Sequence, residues 1–203
     1  MVRDEASHVA QLLKRFRPNE RDFYRVRSQD AASLTATERA ARFIYLNRHC
    51  FNGLYRTNRQ GRFNVPYGRS SKTGHLPDEQ ALRDAAAALS SATIVADDFY
   101  SALMTEVRGG DFVYMDPPYA KTNERIRNQY GPDVFGTDDL ARLQSLAQTI
   151  SDRGAFFVIS YAECDEIRPI AKRWGTHKFT VQRTIAARAT HRTAAAELLI
   201  TNL

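Results

Sequence analysis

The residues best suited to chemistry in this chain lie in one short stretch, Asp116-Pro117-Pro118-Tyr119. They follow four apolar or aromatic residues, 112–115, a run that is typical of a buried strand. Proline has no backbone N–H, so the two prolines leave carbonyl oxygens free to accept hydrogen bonds from a ligand. Asp116 adds a charged acceptor, and Tyr119 offers a flat face for stacking. The pattern predicts a site that holds an NH₂ group against an aromatic ring.

Such a site suits methylation of an exocyclic amine. The nitrogen lone pair is delocalised into the base ring, and two acceptors that draw on the amine hydrogens favour a pyramidal nitrogen able to attack a methyl sulfonium. A base in a duplex must first leave the stack, and stacking on Tyr119 partly compensates for that cost. A tight turn after a strand explains the same residues without any chemistry, and that alternative stays open here.

Apolar spacing indicates the elements that must position this stretch. Short apolar runs alternate with helical patterns from residue 93 onward, which predicts an α/β layer with a largely parallel sheet. The last two strands have no helix between them, which predicts an antiparallel pair. We expect helices over 4–16, 34–51, 78–90, 98–107, 138–152 and 163–174, with Thr137 as a helix cap, and strands over 93–96, 112–115, 156–160, 178–183 and 197–201.

The basic charge is concentrated in one part of the chain. The net charge is +6, and the window from Arg39 to Pro77 contains basic side chains throughout but no Asp or Glu. An arginine-rich composition alone would scatter acids through the window as well, so we favour an anionic partner with phosphate contacts over a merely solvated face. No apolar run approaches the length of a membrane span, and Cys50 and Cys164 lack metal-type spacing, so we expect neither a membrane segment nor a metal site.

Residues 52–69 interrupt the alternation of strands and helices. Asn, Gly and Pro punctuate them, and extended segments flank Arg59-Gln60-Gly61, which predicts a short hairpin turn. A basic hairpin that carries aromatic residues can enter a DNA groove, and an ordinary surface hairpin fits the same residues equally well. Residues 121–136 are long and polar for a connection in a compact domain, which predicts either a mobile flap over a target base or a plain surface loop.

Four blocks, in this order, resemble the Dam-type (DPPY) adenine-specific DNA methyltransferases: "RFIYLNRHCFNGLYRTNRQGRFNVPYGR", "ADDFYSAL", "GDFVYMDPPYA" and "AELLITN". The resemblance covers nearly the whole chain. It implies a Rossmann-like class I methyltransferase sheet with an inserted helical and hairpin DNA-recognition region. It also implies transfer of a methyl group from S-adenosyl-L-methionine to the 6-amino group of a flipped adenine in double-stranded DNA. An aspartate in first position fits adenine better than the Asn typical of glutamine methylation or the Ser typical of cytosine methylation.

The resemblance assigns roles to residues and regions. Residues 1–77 become the DNA-recognition region, with the basic hairpin at 52–69, and residues 78–203 become the C-terminal part of the catalytic domain. The expected catalytic residues are Asp116, Pro117, Pro118 and Tyr119, and the expected cofactor-binding residues are Asp98, Phe99 and Asp116. The expected DNA-binding residues are Arg48, Asn52, Leu54, Arg56, Asn58, Pro66 and Arg69.

The chain departs from the family pattern before the recognition region. The family carries a lysine-containing motif and a Phe-x-Gly-x-Gly loop there, whereas the ten glycines of this chain include no Gly-x-Gly pair. We therefore expect that the first two strands are missing and that the 112–115 strand is an exposed edge, unless 93–96 pairs with it. The hypothesis is a C-terminal part of an adenine methyltransferase, shortened by truncation, a split gene or a misplaced start codon, with a separate N-terminal methyltransferase fragment as a partner.

Two other functions stay open on the sequence alone. A catalytically inactive remnant of the enzyme would bind duplex DNA in a salt-sensitive way and would not bind the cofactor. Methylation of RNA or of a protein amide is the second alternative, and the acid-free window argues only against the protein substrate. Because the resemblance implies a bacterial or phage enzyme that acts on DNA, we expect the protein in the cytoplasm, associated with the nucleoid.

Overall fold

The computed structural model describes residues 1–58, 60–68, 75–119, 135–182 and 194–203. Within these ranges the chain separates into two compact units, Met1–Ile94 and the part that follows from Val95 to Leu203. No helix in the described ranges is long and apolar enough to cross a membrane. The expected division of roles between residues 1–77 and 78–203 concerns function rather than packing, and it stays a prediction.

The first unit is built from four helices, most of which begin at a polar cap. The side chains of Asn19 and Asp78 each accept a hydrogen bond from a backbone N–H at the start of the helix that follows. Thr35 and Glu38 form a reciprocal capping box, which satisfies two N–H groups at the start of the helix Ala36–His49. The helices are α1 Val2–Leu13, α2 Glu20–Arg27, α3 Ala36–His49 and α4 Glu79–Ala88, and 3-10 turns lie at Ala31–Ser33 and Phe51–Gly53.

An apolar core joins these helices to the segment predicted as a hairpin. Tyr45 on α3 is fully buried, and its hydroxyl donates a 2.7 Å hydrogen bond to the Arg17 carbonyl. Burial raises the pKa of Tyr45 to about 12. Phe63 and Val65 are buried in the same core, and Arg27 donates a 3.1 Å hydrogen bond to the Val65 carbonyl. The segment after α3 is therefore fixed to the helices by packing and by hydrogen bonds.

The second unit is a mixed α/β layer. Its elements are α5 Phe99–Glu106, β1 Phe112–Met115, α6 Thr137–Asp152, β2 Phe156–Ala162, α7 Arg168–Ala171, β3 Gly175–Gln182 and β4 Ala194–Thr201. The four described strands form one sheet in the order β1-β2-β4-β3. Strand β1 runs parallel to β2, with Met115 opposite Ile159, and β4 is antiparallel to both β2 and β3. The predicted antiparallel pair at the C-terminus is confirmed.

Helix α6 and the central strand β2 form the core of this unit. Leu143, Leu146 and Ile150 on α6 are buried in one cluster with Phe157 and Ile159 on β2. Burial of such a side chain contributes about 1.5–3 kcal/mol relative to exposure. The same cluster includes the inward-facing residues of β1, so the core fixes β1 as well as β2.

Three sequence predictions in this unit need correction. The sheet is not largely parallel, because two of the three described strand pairs are antiparallel. Residues 93–96 form no strand, and Ile94 and Val95 are 62% and 68% exposed. A four-residue apolar run is a strand only where a neighbouring strand pairs with it, and no described strand does so here. The helix predicted over 163–174 is reduced to the single turn of α7. Pro169 is compatible with the first turn of a helix but not with its interior, which explains the late start.

Smaller differences concern a missed helix and a cap. The sequence prediction did not include α2, whose eight residues contain only two buried side chains. Thr137 is the first residue of α6 rather than its cap, and the Asp139 carboxylate accepts a 3.0 Å hydrogen bond from the Gly136 N–H instead. Most of the predicted flap at 121–136 and the predicted DNA-binding residue Arg69 lie outside the described residues.

Strand β1 lies at one edge of the sheet, as expected when 93–96 does not pair with it. Its Val113 and Met115 are buried, whereas Phe112 and Tyr114 on the opposite face are 61% and 59% exposed. Phe156, which faces Phe112 across the β1–β2 pair, is 44% exposed. We call this surface of three aromatic residues the open aromatic face. Exposed aromatic residues beside an unpaired strand edge favour association.

The substitution Tyr114→Lys is expected to lower self-association without unfolding the chain. The tyrosine side chain is exposed, and a lysine on an edge strand opposes pairing with a second strand. Sedimentation velocity over a range of protein concentrations measures the effect. Tyr24→Lys replaces an exposed aromatic residue of the first unit and is the matched control, which should associate as the wild type does. Equal association of all three proteins would contradict the prediction.

Candidate active site and DNA-binding region

The segment from Asp116 to Tyr119 begins directly after the last residue of β1. In an open α/β sheet, ligands bind beyond the carboxyl ends of the parallel strands, which is where this segment lies. The Asp116 side chain is exposed and forms no hydrogen bond or ion pair with the described residues. Pro117 is half-buried and Pro118 is exposed. Asp116 is therefore a charged acceptor that is available to a ligand.

Tyr119 is anchored at both ends of its side chain. Its hydroxyl donates a 3.0 Å hydrogen bond to Oε1 of Glu197 on β4. Its ring meets the ring of Tyr161 edge to face, with centroids 5.2 Å apart and an interplanar angle of 72°. Tyr161 is fully buried. Sequence reasoning did not single out Glu197, because the contact joins residues 78 positions apart.

Asp98 is the N-terminal cap of α5. Its carboxylate accepts a 3.1 Å hydrogen bond from the Ser101 N–H. The same carboxylate pairs with the guanidinium of Arg142 on α6, which also bonds to Asp139 at 2.9 Å. The Arg142 guanidinium lies 5.0 Å from the centroid of the Phe99 ring. Two of the three predicted cofactor-binding residues, Asp98 and Phe99, thus both contact Arg142, which the sequence prediction missed.

These contacts favour the charged form of Asp98. The Ser101 N–H and then Arg142 hold the pKa of Asp98 below its usual range. The bonds to Asp98 and Asp139 raise the pKa of Arg142. The convergence of Asp98 and Asp116 on one cofactor stays a prediction. The described residues also contain no group of three or more His, Cys, Asp or Glu side chains that could hold a metal ion.

The predicted hairpin is confirmed as two isolated antiparallel bridges rather than as two continuous strands. Gly61 has φ of 72°, and its N–H donates a 2.9 Å hydrogen bond to the Asn58 carbonyl. The Asn58 side-chain oxygen accepts a 3.0 Å hydrogen bond from the Arg62 N–H. The side-chain oxygen of Asn58 therefore stabilises the turn. Its NH₂ group makes no hydrogen bond that is described and could donate to DNA. The bridges pair Cys50 with Tyr67 and Thr57 with Phe63.

The base of this hairpin is tightly packed against the end of α3. A Cβ atom on Gly68 would lie 2.8 Å from the Cys50 carbonyl oxygen, so the close approach requires glycine. The Pro66 carbonyl accepts a 2.9 Å hydrogen bond from the Phe51 N–H. Asn52 has φ of 54°, a left-handed conformation that Asn tolerates better than most residues. Of the predicted DNA-binding residues, Arg48, Asn52 and Pro66 are exposed, and Leu54, Arg56 and Asn58 are half-buried.

The arginines of the acid-free window differ in what they contact. Arg39 and Arg48 each donate to a backbone carbonyl of the first unit, and Arg42 donates to two carbonyls at the C-terminus of α2. By contrast, Nε of Arg56 is buried without a hydrogen-bond partner among the described residues. Arg62 is exposed and forms no described ion pair. Part of this positive charge therefore stabilises the fold, and part is available to an anion.

A family model for the D12 class of N6 adenine-specific DNA methyltransferases matches residues 2–185. The chain belongs to this family. For the D12 class methyltransferases the substrate is adenine in DNA, and the reaction requires a methyl donor. The recognised resemblance and the enzyme class are thereby confirmed.

Relatives with a DNA methyltransferase name cover most of this D12 class chain. The Type II methyltransferase M1.LlaDCHI of Lactococcus lactis subsp. cremoris is 32% identical over 99% of this chain and 73% of its own length. The Type II methyltransferase M.MjaIII of Methanocaldococcus jannaschii is 37% identical over 68% of this chain and 48% of its own length. The DNA adenine methylase of Serratia marcescens is 34% identical over 89% of this chain and 67% of its own length. The matched region thus spans between about half and about three quarters of these relatives.

Asp98→Asn is expected to lower stability slightly at neutral pH. Asn caps a helix as well as Asp, so the substitution removes only the charge that Arg142 pairs with. A carboxyl whose pKa is lowered by folding stabilises the native state above its unfolded pKa of about 3.9, and the contribution is lost as the pH falls through the folded value. The difference in melting temperature between variant and wild type should therefore stay nearly constant from pH 7 to about 4, and it should shrink as the pH falls further. A difference that is independent of pH would contradict this assignment.

Proposed function

We propose that this chain carries the target-base and DNA-binding parts of a methyltransferase that transfers a methyl group from S-adenosyl-L-methionine to N6 of a flipped adenine in duplex DNA. The supporting observation is the segment after β1, in which Asp116 is exposed without a hydrogen bond to the described residues and Tyr119, three residues later, is held by Glu197. Family membership supplies the reaction, and this segment supplies the place where the amine is held.

The mechanism follows from what these residues accept. The Asp116 carboxylate and the Pro117 carbonyl each accept a hydrogen bond from the adenine amine, which turns the nitrogen lone pair out of the ring plane. Tyr119 stacks on the base after it leaves the duplex. When bound, S-adenosyl-L-methionine would supply a methyl group on a positively charged sulfur, which would keep the electron pair of the broken carbon–sulfur bond. The methylated nitrogen then carries a positive charge and loses a proton to Asp116 or to water, so no separate base is needed.

The residues around Asp98 fit the adenosine end of S-adenosyl-L-methionine. A carboxylate at a helix N-terminus accepts hydrogen bonds from an amine or a hydroxyl, and Phe99 provides an apolar ring beside it. With S-adenosyl-L-methionine bound, the Asp98 carboxylate would accept a hydrogen bond from its adenosine group, and the Phe99 ring would pack against the same group. We propose that Arg142 keeps this carboxylate ionised and oriented.

The sheet of the second unit supports a Rossmann-like class I methyltransferase fold. Strands β1 and β2 are parallel, and β4 is antiparallel to both β2 and β3. Among the described strands, β1 lies at one edge of the sheet. We propose that a separate N-terminal methyltransferase fragment pairs with this edge and covers the open aromatic face. Co-expression of such a fragment should raise methyl transfer by the chain, and an unchanged rate would argue against the fragment.

Asp116→Ala is expected to abolish methyl transfer and to leave DNA affinity unchanged. The carboxylate acts on the amine mainly in the transition state, so its loss should lower the rate by about 10²–10³-fold or more. Transfer of labelled methyl from S-adenosyl-L-methionine to unmethylated DNA that contains GATC and other adenine sites measures the rate. Asp165→Ala removes an exposed carboxylate of the same unit and is the matched control.

The outcomes of this assay separate the proposed functions. Loss of DNA binding in Asp116→Ala would mean that the carboxylate is structural. A wild-type chain that binds DNA in a salt-sensitive way but binds no S-adenosyl-L-methionine would be an inactive DNA-binding remnant. Transfer to RNA and not to DNA would identify a different substrate.

Arg56→Ala is expected to weaken binding to duplex DNA and to flatten its salt dependence. One lost phosphate contact reduces the slope of log K against log salt by about 1. Fluorescence anisotropy at several salt concentrations measures both quantities. Arg42→Ala is the informative control, because its guanidinium donates to carbonyls of the fold. It should lower the melting temperature more than Arg56→Ala does, and an unchanged affinity of Arg56→Ala would remove the hairpin from the interface.

A further inference from the structure

The hydrogen bond between Tyr119 and Glu197 crosses the carboxyl edge of the sheet. Tyr119 follows β1, and Glu197 belongs to β4, with β2 between them in the sheet order. Glu197 stands opposite Ala162 on β2 and Phe179 on β3. The bond therefore holds the hydroxyl group of Tyr119 against β4, which pairs with β2 on the side away from β1.

Glu197 is the charged side chain of β4, whose other residues are apolar except Thr201. Its neighbour Leu198 is buried, whereas Glu197 itself is half-buried, so its carboxylate lies on the more open side of β4. The described residues place no cation on this carboxylate, and the Tyr119 hydroxyl is its described hydrogen-bond partner. The next acid, Glu163, has a different role, because it forms a 2.6 Å ion pair with Lys178.

Two of the contacts of Tyr119 constrain the orientation of its ring. The edge-to-face contact with the buried Tyr161 limits its tilt, and the bond to Glu197 limits rotation of its far end. A phenol that donates to a carboxylate also gains electron density in its ring, because hydrogen bonds to charged acceptors polarise the donor. An electron-rich ring attracts a neighbouring positive charge more strongly.

We propose that Glu197 is a positioning residue that orients Tyr119 and increases the electron density of its ring for the target adenine. The inference rests on the proposed function, in which the adenine amine gains positive charge as the methyl group is transferred. A ring that interacts more strongly with the charged base than with the neutral base stabilises the transition state more than the ground state. Glu197 thus acts on the rate of transfer through Tyr119 without contact with the reacting atoms.

The first experiment tests the bond itself and needs no activity. The ¹³Cζ resonance of Tyr119 in tyrosine-labelled protein, assigned by its loss in Tyr119→Phe, reports the hydrogen bond of the phenol. It should shift in Glu197→Gln and stay in place in Glu163→Gln, the matched control that neutralises the neighbouring carboxylate. An unchanged resonance in Glu197→Gln would overturn the proposal.

The second experiment tests the role of the bond in methyl transfer. Glu197→Gln keeps an acceptor but removes the charge, so kcat should fall by about three- to tenfold, with KM for DNA and melting temperature unchanged. The kcat of Tyr119→Phe should fall by a similar factor. The kcat of the double variant should be no lower than that of either single variant, since both substitutions remove the same interaction. Glu163→Gln should keep the wild-type kcat.

The outcomes distinguish this inference from the proposed function. A wild type that transfers methyl groups and a Glu197→Gln variant with the same kcat would overturn the inference alone. Additive losses in the double variant would do the same, because they would mean two independent effects. A wild type without transfer to adenine, even with the N-terminal fragment present, would overturn the proposed function and this inference with it.

Discussion

Backbone hydrogen bonds between β1 and β2 hold Val113 opposite Phe157 and Met115 opposite Ile159, and the proposed active site depends on this register. A shift by one residue would move the buried side chains of β1 to the exposed face and the exposed aromatic residues into the core. The buried cluster beneath the sheet excludes that alternative. The register in turn determines where β1 ends, and the Asp-Pro-Pro-Tyr segment begins there.

The first unit shows a second constraint, which concerns positive charge. Arg42 donates to two carbonyl groups at the C-terminus of α2, where the helix supplies few donors of its own, and Arg39 and Arg48 donate to carbonyl groups outside the α-helices. Arginines of the same window therefore serve both purposes: some stabilise the fold, and others are proposed to contact DNA. Contacts in the structure, rather than position in the sequence, separate the two uses.

Much of the fold and of the candidate site could be predicted from local sequence signals. The strand at 112–115, the segment that follows it and the turn at Gly61 each depend on residues that are adjacent in sequence. The signals failed where a long-range partner decides the outcome. Residues 93–96 have the composition of a strand but no described strand beside them. Arg142 and Glu197 carry no local signal, because their partners in the candidate site lie 44 and 78 residues away.

The open edge of β1 has a consequence for the dynamics of the site. A strand that is paired on one side only opens locally at a lower free energy than a strand paired on both sides. Among the described strands β1 pairs with β2 alone, and Asp116 follows β1 directly, so one described ladder of hydrogen bonds holds this carboxylate in place. Any segment that pairs with the free edge would reduce the fluctuations of the carboxylate without contact with base or cofactor. Such a segment would act as an allosteric activator of the D12 class chain.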